Sequence, residues 1–186
     1  MEKTNRYDKL FIETAILSSE MSFCKRRKVG AILTKDTRII SNGWNGTVSG
    51  EDNCCEEDYG DLSEIEIAYI DFKEDQEKEA QLFCKESDLT LESFSKKKNK
   101  IEVKYRRPQF RTKQSVVHAE ANAIAYAAKA GLKTEDCTLY VTLSPCMNCS
   151  NLIIQAGIKE VIFKESYRDS SGVEHLERNG IKVRKY

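Results

Sequence analysis

A chain of 186 residues is long enough for one domain with a real core and too short for two ordinary ones. Lysine plus arginine and aspartate plus glutamate each total 30, so the formal net charge is zero, which argues against a dedicated nucleic-acid binder. The polar start Met1-Glu2-Lys3-Thr4-Asn5-Arg6, a mean hydropathy of -0.57, no apolar run near the roughly 20 residues of a membrane span and an odd cysteine count of 7 lead us to expect a soluble protein of the reducing cytoplasm, not a disulfide framework.

In chain order, Leu10, Phe11, Thr14, Ala15, Leu17 and Ser18 recur at near-helical spacing between Tyr7 and Met21, predicting an amphipathic helix packed on a sheet. Cys24 follows, then the run Lys25-Arg26-Arg27-Lys28, which taken alone reads as a solvated turn. Val29-Gly30-Ala31-Ile32-Leu33 and Arg38-Ile39-Ile40-Ser41-Asn42-Gly43, separated by Thr34-Lys35-Asp36-Thr37, predict a β-hairpin. Directly after it, Trp44-Asn45-Gly46-Thr47 combines an aromatic ring, an amide and a glycine. Such a loop can place a hydrogen bond on a sugar hydroxyl, although Asn-Gly is also an ordinary turn.

Residues 51–113 read as a charged insertion in a single domain spanning 1–186. Its first part is acidic (Glu51, Asp52, Glu56, Glu57, Asp58, Asp61, Glu64, Glu66) and its last part basic (Lys96, Lys97, Lys98, Lys100, Lys104, Arg106, Arg107, Arg111, Lys113). Ile65, Ala68, Tyr69 and Phe72 suggest a helix that Ala80, Phe83 and Cys84 continue. The two charge blocks are expected to be solvated faces that attract each other; the sharper alternative is that the basic block borders an anionic substrate or effector.

Beyond the insertion the pattern is regular. The alanine-rich stretch from His118 to Ala130 predicts a helix stopped at Gly131, and Thr138-Leu139-Tyr140-Val141-Thr142-Leu143 a buried strand. Cys146 to Ala156 predicts a helix stopped at Gly157, Lys159 to Phe163 a strand, Glu174 to Arg178 a short helix, and Ile181-Lys182-Val183 a last edge strand. The expected fold class is therefore α/β, layered, with a mixed sheet.

Two stretches carry the chemistry: His118-Ala119-Glu120 and Pro145-Cys146-Met147-Asn148-Cys149. A catalytic zinc takes three protein ligands and keeps a fourth position for water, and His118, Cys146 and Cys149 supply one imidazole and two thiolates. Glu120 then lies beside the metal without binding it, placed to move a proton. Cys-x-x-Cys alone also occurs in structural zinc knuckles and redox pairs, but a structural site closes with a fourth Cys or His and has no use for Glu120. His-x-Glu with Pro-Cys-x-x-Cys is the signature of zinc nucleobase deaminases.

His118 to Ile124 and Ser144 to Cys149, with Gly157-Ile158, resemble the zinc-dependent cytidine and deoxycytidylate deaminase superfamily. Val29-Gly30-Ala31, Asn42-Gly43-Trp44-Asn45-Gly46 and Asn53-Cys54-Cys55 are similar to its deoxycytidylate branch, especially the phage-encoded type. The resemblance implies a three-layer α/β/α fold on a mixed five-stranded sheet and hydrolysis of dCMP to dUMP and ammonia, in the cytoplasm or in a host's if the source is viral. In that scheme a zinc-activated water attacks C4 of cytosine and Glu120 relays the proton. The Ala119 N–H meets the base carbonyl, the Ser144 carbonyl accepts from the exocyclic amine, Asn45 binds the deoxyribose hydroxyl, and Tyr167 and Arg168 lie near base and phosphate.

The same kinship implies a homo-oligomer, a hexamer in many members, with dCTP and dTTP as effectors near Gly46, Tyr126 and Lys129. It also implies a second, structural zinc in some phage members. Residues 51–113 hold no histidine, so a Cys-only version would draw on Cys24, Cys84 and Cys54 or Cys55. Two other activities compete: a polynucleotide deaminase acting on single-stranded DNA or transfer RNA through Lys96 to Lys113, and a non-catalytic zinc-stabilised binding module.

Overall fold

In β1 (Gly30–Lys35), Ala31 and Leu33 face one side and Ile32 the other, the period-two pattern of a strand covered on both faces. The structure is a computed structural model and describes residues 3–58, 65–71, 75–87, 89–97, 100–106 and 110–186. They divide into two units, Met1–Cys55 with Lys113–Tyr186, and Glu56–Thr112.

The larger unit carries β1, β2 (Arg38–Trp44), β8 (Thr138–Leu143), β9 (Glu160–Glu165) and β10 (Lys182–Lys185) in one five-stranded sheet of order β10-β9-β8-β1-β2. β1 is antiparallel to β2 and β8, whereas β8, β9 and β10 run parallel, which makes the sheet mixed as expected. Helix α1 (Lys3–Ser19) covers one face, with Phe11, Ile12 and Ala15 against Ile32, Tyr140 and Ile162. α3 (Ala119–Lys129), α4 (Met147–Gln155) and α5 (Ser171–Arg178) cover the other, where Ala123, Ile153 and Leu176 meet Leu33, Leu139, Val141 and Val161. Three layers result.

The buried side of α1 differs from the sequence expectation. Leu10 and Leu17 are exposed, and Asp8 takes a buried place. Its carboxylate accepts the Tyr140 hydroxyl at 2.8 Å and the Arg184 guanidinium at 2.7 Å, so a charge is held inside by two donors. The β1–β2 hairpin is present, closed by Asp36 and Thr37, both in the left-handed region at φ 49° and 62°. β2 approaches α3 closely: a Cβ on Gly43 would lie 2.4 Å from the Ala119 carbonyl oxygen. That contact seats the start of α3 on the sheet.

The smaller unit holds β3 (Glu56–Asp58) paired with β7 (Phe110–Thr112), and a three-stranded sheet of β4 (Glu66–Asp71), β6 (Lys100–Arg106) and β5 (Thr90–Lys97) in the order β4-β6-β5. Helix α2 (Gln76–Glu86) begins at Asp75, whose side chain accepts from the Glu77 and Lys78 N–H groups. Ala80 and Cys84 of α2 are buried with Ile101, Val103 and Tyr105. The expected helix through Ile65, Ala68 and Tyr69 is instead strand β4, in which Ala68 and Ile70 turn inward while Ile67 and Tyr69 are exposed. Apolar residues on both faces had imitated helical spacing. The acidic and basic parts do meet across strands, in the pairs Lys100–Asp71, Arg106–Glu92 and Arg111–Glu57, while Lys97–Glu102 pairs two residues of the basic part. Asp61, Glu64, Phe72, Lys98 and Arg107 lie outside the described residues.

Candidate metal centre

The sheet gathers the site at one end. β8 and β9 run parallel and finish there, β2 finishes beside them, and β1, antiparallel to β8, starts there. The Gly30 N–H donates to the Thr142 hydroxyl at 3.1 Å and the Ser144 N–H to the Glu165 carbonyl at 2.8 Å, which fixes these ends side by side. Strand-to-helix junctions at this end then place the ligands: His118 is the N-cap of α3 and Cys146 the N-cap of α4, with Cys149 in the first turn of α4. Both helix starts turn their positive ends to the same point, which favours thiolates there.

His118 Nδ1 lies 3.5 Å from Cys146 Sγ and 3.3 Å from Cys149 Sγ, and all the ligand atoms fall within 4.8 Å of one another. Tetrahedral angles about a zinc with ordinary Zn–S and Zn–N bonds require N···S separations of about 3.6 Å, so these three donors fit the ion. Among the described residues, no other group of three or more His, Cys, Asp and Glu side chains is gathered in this way.

The ionisable groups of the pocket are coupled to one another. Cys146 is pulled down to about 3, first by the Cys149 thiol and then by His118 as hydrogen-bond partners. Cys149 is pushed up, chiefly by that same bond to Cys146 and by burial, so the pair shares one negative charge. His118 is raised, chiefly by its bond to Cys146. Glu120, only 4 % exposed, is raised by burial, and its carboxyl bonds the Cys149 thiol. A dication here would draw both sulfurs into the thiolate form and stabilise an ionised Glu120.

The surrounding candidates are partly brought together. Ala119 opens α3, where a helix leaves N–H groups without an intrahelical partner. The Ser144 hydroxyl accepts the Tyr167 N–H at 2.7 Å, tying the Tyr167-Arg168 loop to the strand end that leads into Cys146. The Arg168 guanidinium lies 5.8 Å from the Tyr167 ring centroid. Asn45 is buried, and its amide is already engaged: its oxygen accepts the Val29 N–H at 2.8 Å and its nitrogen donates to the Arg27 carbonyl at 2.9 Å. One N–H and one lone pair remain for a ligand.

Cys24 and Cys55 form a disulfide, Cys84 lies in the core of the smaller unit, and Cys54 is exposed. The Cys-only second zinc site expected of Cys24, Cys84 and Cys54 or Cys55 is not assembled here, because the joined sulfurs of Cys24 and Cys55 carry no thiolate to offer a metal. Gly46 exchanges two backbone hydrogen bonds with Val117, next to His118. Tyr126 and Lys129 are exposed on α3.

Two positioning residues escaped the sequence reading. Asn122, four residues past His118 and thus on the same side of α3, donates to the Trp44 carbonyl at 2.6 Å and clamps the Trp44-Asn45 loop to the metal helix. Gly172 lets α5 touch the ligand turn: a Cβ there would lie 2.2 Å from the Pro145 carbonyl oxygen and 2.7 Å from the Cys146 carbonyl carbon. Gly172→Ala should therefore lower the melting temperature by several degrees, an overpacking cost of about 1–3 kcal/mol, and weaken zinc retention; calorimetry with metal analysis checks both.

The model of the cytidine and deoxycytidylate deaminase zinc-binding region matches residues 5–165. Deoxycytidylate deaminase of Enterobacteria phage T4 is 35% identical over 176 residues, covering 92% of this chain and 86% of that protein. The deoxycytidylate deaminase of Mycobacterium phage D29 is 31% identical over 163 residues, with 86% and 96% covered. The crystal structure of the dCMP deaminase from cyanophage S-TIM5 in complex with dCMP and dUMP superposes with a TM-score of 0.67 at 29% identity, covering 100% of this chain and 99% of that one. With a three-donor zinc site, a carboxylate beside it and this kinship over nearly its whole length, the chain belongs to the cytidine and deoxycytidylate deaminase family.

Proposed function

We propose that the protein hydrolyses dCMP to dUMP and ammonia, with zinc held by His118, Cys146 and Cys149. The observation that carries this reading is the buried carboxyl of Glu120 beside a ligand set that leaves one tetrahedral position open. Zinc bound there supplies the Lewis acidity that makes water a nucleophile at neutral pH. Glu120 would take one proton from the attacking water and deliver it to N3 of the base, then take the second proton from the hydroxyl added at C4 and pass it to the amine, which leaves as ammonia while the C4 carbonyl forms. The Ala119 N–H holds the base carbonyl and the Ser144 carbonyl holds the exocyclic amine, so the ring is oriented by backbone groups that cannot rotate away. Asn45 contributes its remaining N–H to the sugar hydroxyl. Tyr167 packs on the substrate, and Arg168 meets its phosphate.

A small nucleotide fits better than a polynucleotide: Lys97, Lys100, Arg106 and Arg111 of the basic block each face an acidic partner, so the face a strand would follow is partly neutralised. No described helix is long and apolar enough to cross a membrane. Gly46, Tyr126 and Lys129, the last two exposed on α3, are assigned to the contact with dCTP or dTTP and with a second copy of the chain in a homo-oligomer.

Ammonia release from dCMP, dCTP, deoxycytidine and a cytosine-containing single-stranded oligonucleotide tests the reading. Turnover of the monophosphate, changed by added dCTP or dTTP, is the expected result. Turnover of the oligonucleotide alone would reassign the protein as a polynucleotide editor.

A further inference from the structure

A serine near a helix end commonly spends its hydroxyl on a local carbonyl, and Ser19 does so, donating to the Ile16 carbonyl at 2.6 Å. Ser22, three residues on and buried, does not. Its hydroxyl donates to the Asn45 carbonyl at 2.7 Å, across to the loop that follows β2, and accepts the Cys24 N–H at 3.2 Å. The turn that closes α1 sets its backbone, with the Ser22 N–H donating to the Ser19 carbonyl at 3.0 Å.

What this hydroxyl holds is one peptide unit. The Asn45–Gly46 peptide takes Ser22 on its carbonyl, and its N–H, on Gly46, donates to the Val117 carbonyl at 3.1 Å. The Val117 N–H returns a bond to the Gly46 carbonyl at 2.9 Å, and Val117 directly precedes the metal ligand His118. The planar unit is therefore held on both edges, between the loop after α1 and the neighbour of His118. A donor on the carbonyl polarises the peptide and strengthens the bond its N–H makes, so the two contacts support each other. The Cys24 sulfur lies 3.8 Å from the same carbonyl, but joined to Cys55 it has no hydrogen to give.

The Asn45 side chain springs from that unit. Its bonds to the Val29 N–H and the Arg27 carbonyl leave one amide N–H for a ligand. Where this N–H points depends on the tilt of the backbone beneath it, which the Ser22 bond sets. We propose that Ser22 is a positioning residue for the sugar subsite, acting through Asn45 to aim its amide at the 3′-hydroxyl, the one free hydroxyl on the deoxyribose of dCMP. The proposal rests on the dCMP reading above, in which Asn45 meets that hydroxyl, and adds what holds Asn45 to the task.

The test uses the zinc-loaded full chain, with steady-state kinetics on dCMP and calorimetric binding of dUMP and of 2′,3′-dideoxyuridine monophosphate, which lacks the hydroxyl. Ser22→Ala should raise KM for dCMP and weaken dUMP roughly 2- to 10-fold, the span of one neutral hydrogen bond. Its kcat, zinc content and affinity for the dideoxy nucleotide should stay as in the wild type, and Ser22→Thr, which keeps the hydroxyl, should bind dUMP normally. Asn45→Ala should abolish the preference for dUMP over the dideoxy nucleotide, and adding Ser22→Ala to it should weaken dUMP no further. Equal weakening of both nucleotides by Ser22→Ala, unchanged dUMP affinity in that variant, or the same loss with Asn45 already removed would overturn the proposal. A wild type that turns over dCMP but binds the two nucleotides alike would overturn it while leaving the deamination reading intact. A wild type with no turnover of dCMP would overturn that reading first.

Discussion

Glu120→Gln should lower deamination of dCMP by roughly 100- to 10,000-fold, the usual contribution of a positioned acid–base group, while zinc stays bound. Glutamine keeps the shape and the hydrogen-bonding reach of Glu120 but can neither take nor return a proton. The side chain is buried, and desolvation pushes its carboxyl up, so exchange for a neutral amide should not destabilise the fold. Turnover assays alongside metal analysis and a thermal melt separate the effects. Lost turnover with retained zinc and unchanged melting is the expected triad. A variant that keeps wild-type turnover would remove Glu120 from the chemistry and require another group to move the proton.

Cys149→Ala should act on metal and fold together. Cys149 lies within the first turn of α4, nearly buried, and its Sγ is one of three donors about the ion position. Losing an outer-shell partner of a metal ligand typically costs roughly 10- to 100-fold in affinity, and loss of a ligand itself should cost more. Zinc should be absent from the purified variant, and with it all turnover. The pH dependence has a definite sign. Cys149 holds its proton tightly in the metal-free pocket, so binding zinc expels that proton, and affinity should fall as pH is lowered. Zinc titrations across several pH values check this; affinity independent of pH would mean that the sulfur is not a ligand.

The metal site was legible because its signal is local. His118 with Glu120, and Cys146 with Cys149, are each fixed by spacing within a single helix start, and the alanine-rich run after His118 and the apolar run Thr138 to Leu143 before Cys146 read directly as helix and strand. What brings the two pairs together is not local. It needs β1 inserted between β2 and β8, and the close seat of α3 on Gly43. The role of Gly172 was invisible for the same reason, since the backbone it protects, Pro145-Cys146, lies far upstream in sequence.

The smaller unit was the least legible. Strand β6 does alternate, with Ile101, Val103 and Tyr105 inward and Glu102 and Lys104 between them, but its neighbours Lys96 to Lys100 hid the period inside a basic run. In β4 the outward positions are also apolar, Ile67 and Tyr69, so no alternation was available to distinguish strand from helix. The face of α1 failed for a related cause: Asp8 is inside because Tyr140 and Arg184 come to it from β8 and β10, which no helical period can reveal.

Dependence of dCMP hydrolysis on zinc at His118, Cys146 and Cys149 is tested by following dUMP and ammonia formed from dCMP by the full chain as purified, after removal of metal with a chelator, and after zinc is restored. Product formation should disappear with the metal and return with it in the wild type, and never appear in Cys149→Ala. Turnover that survives complete removal of zinc would contradict that dependence.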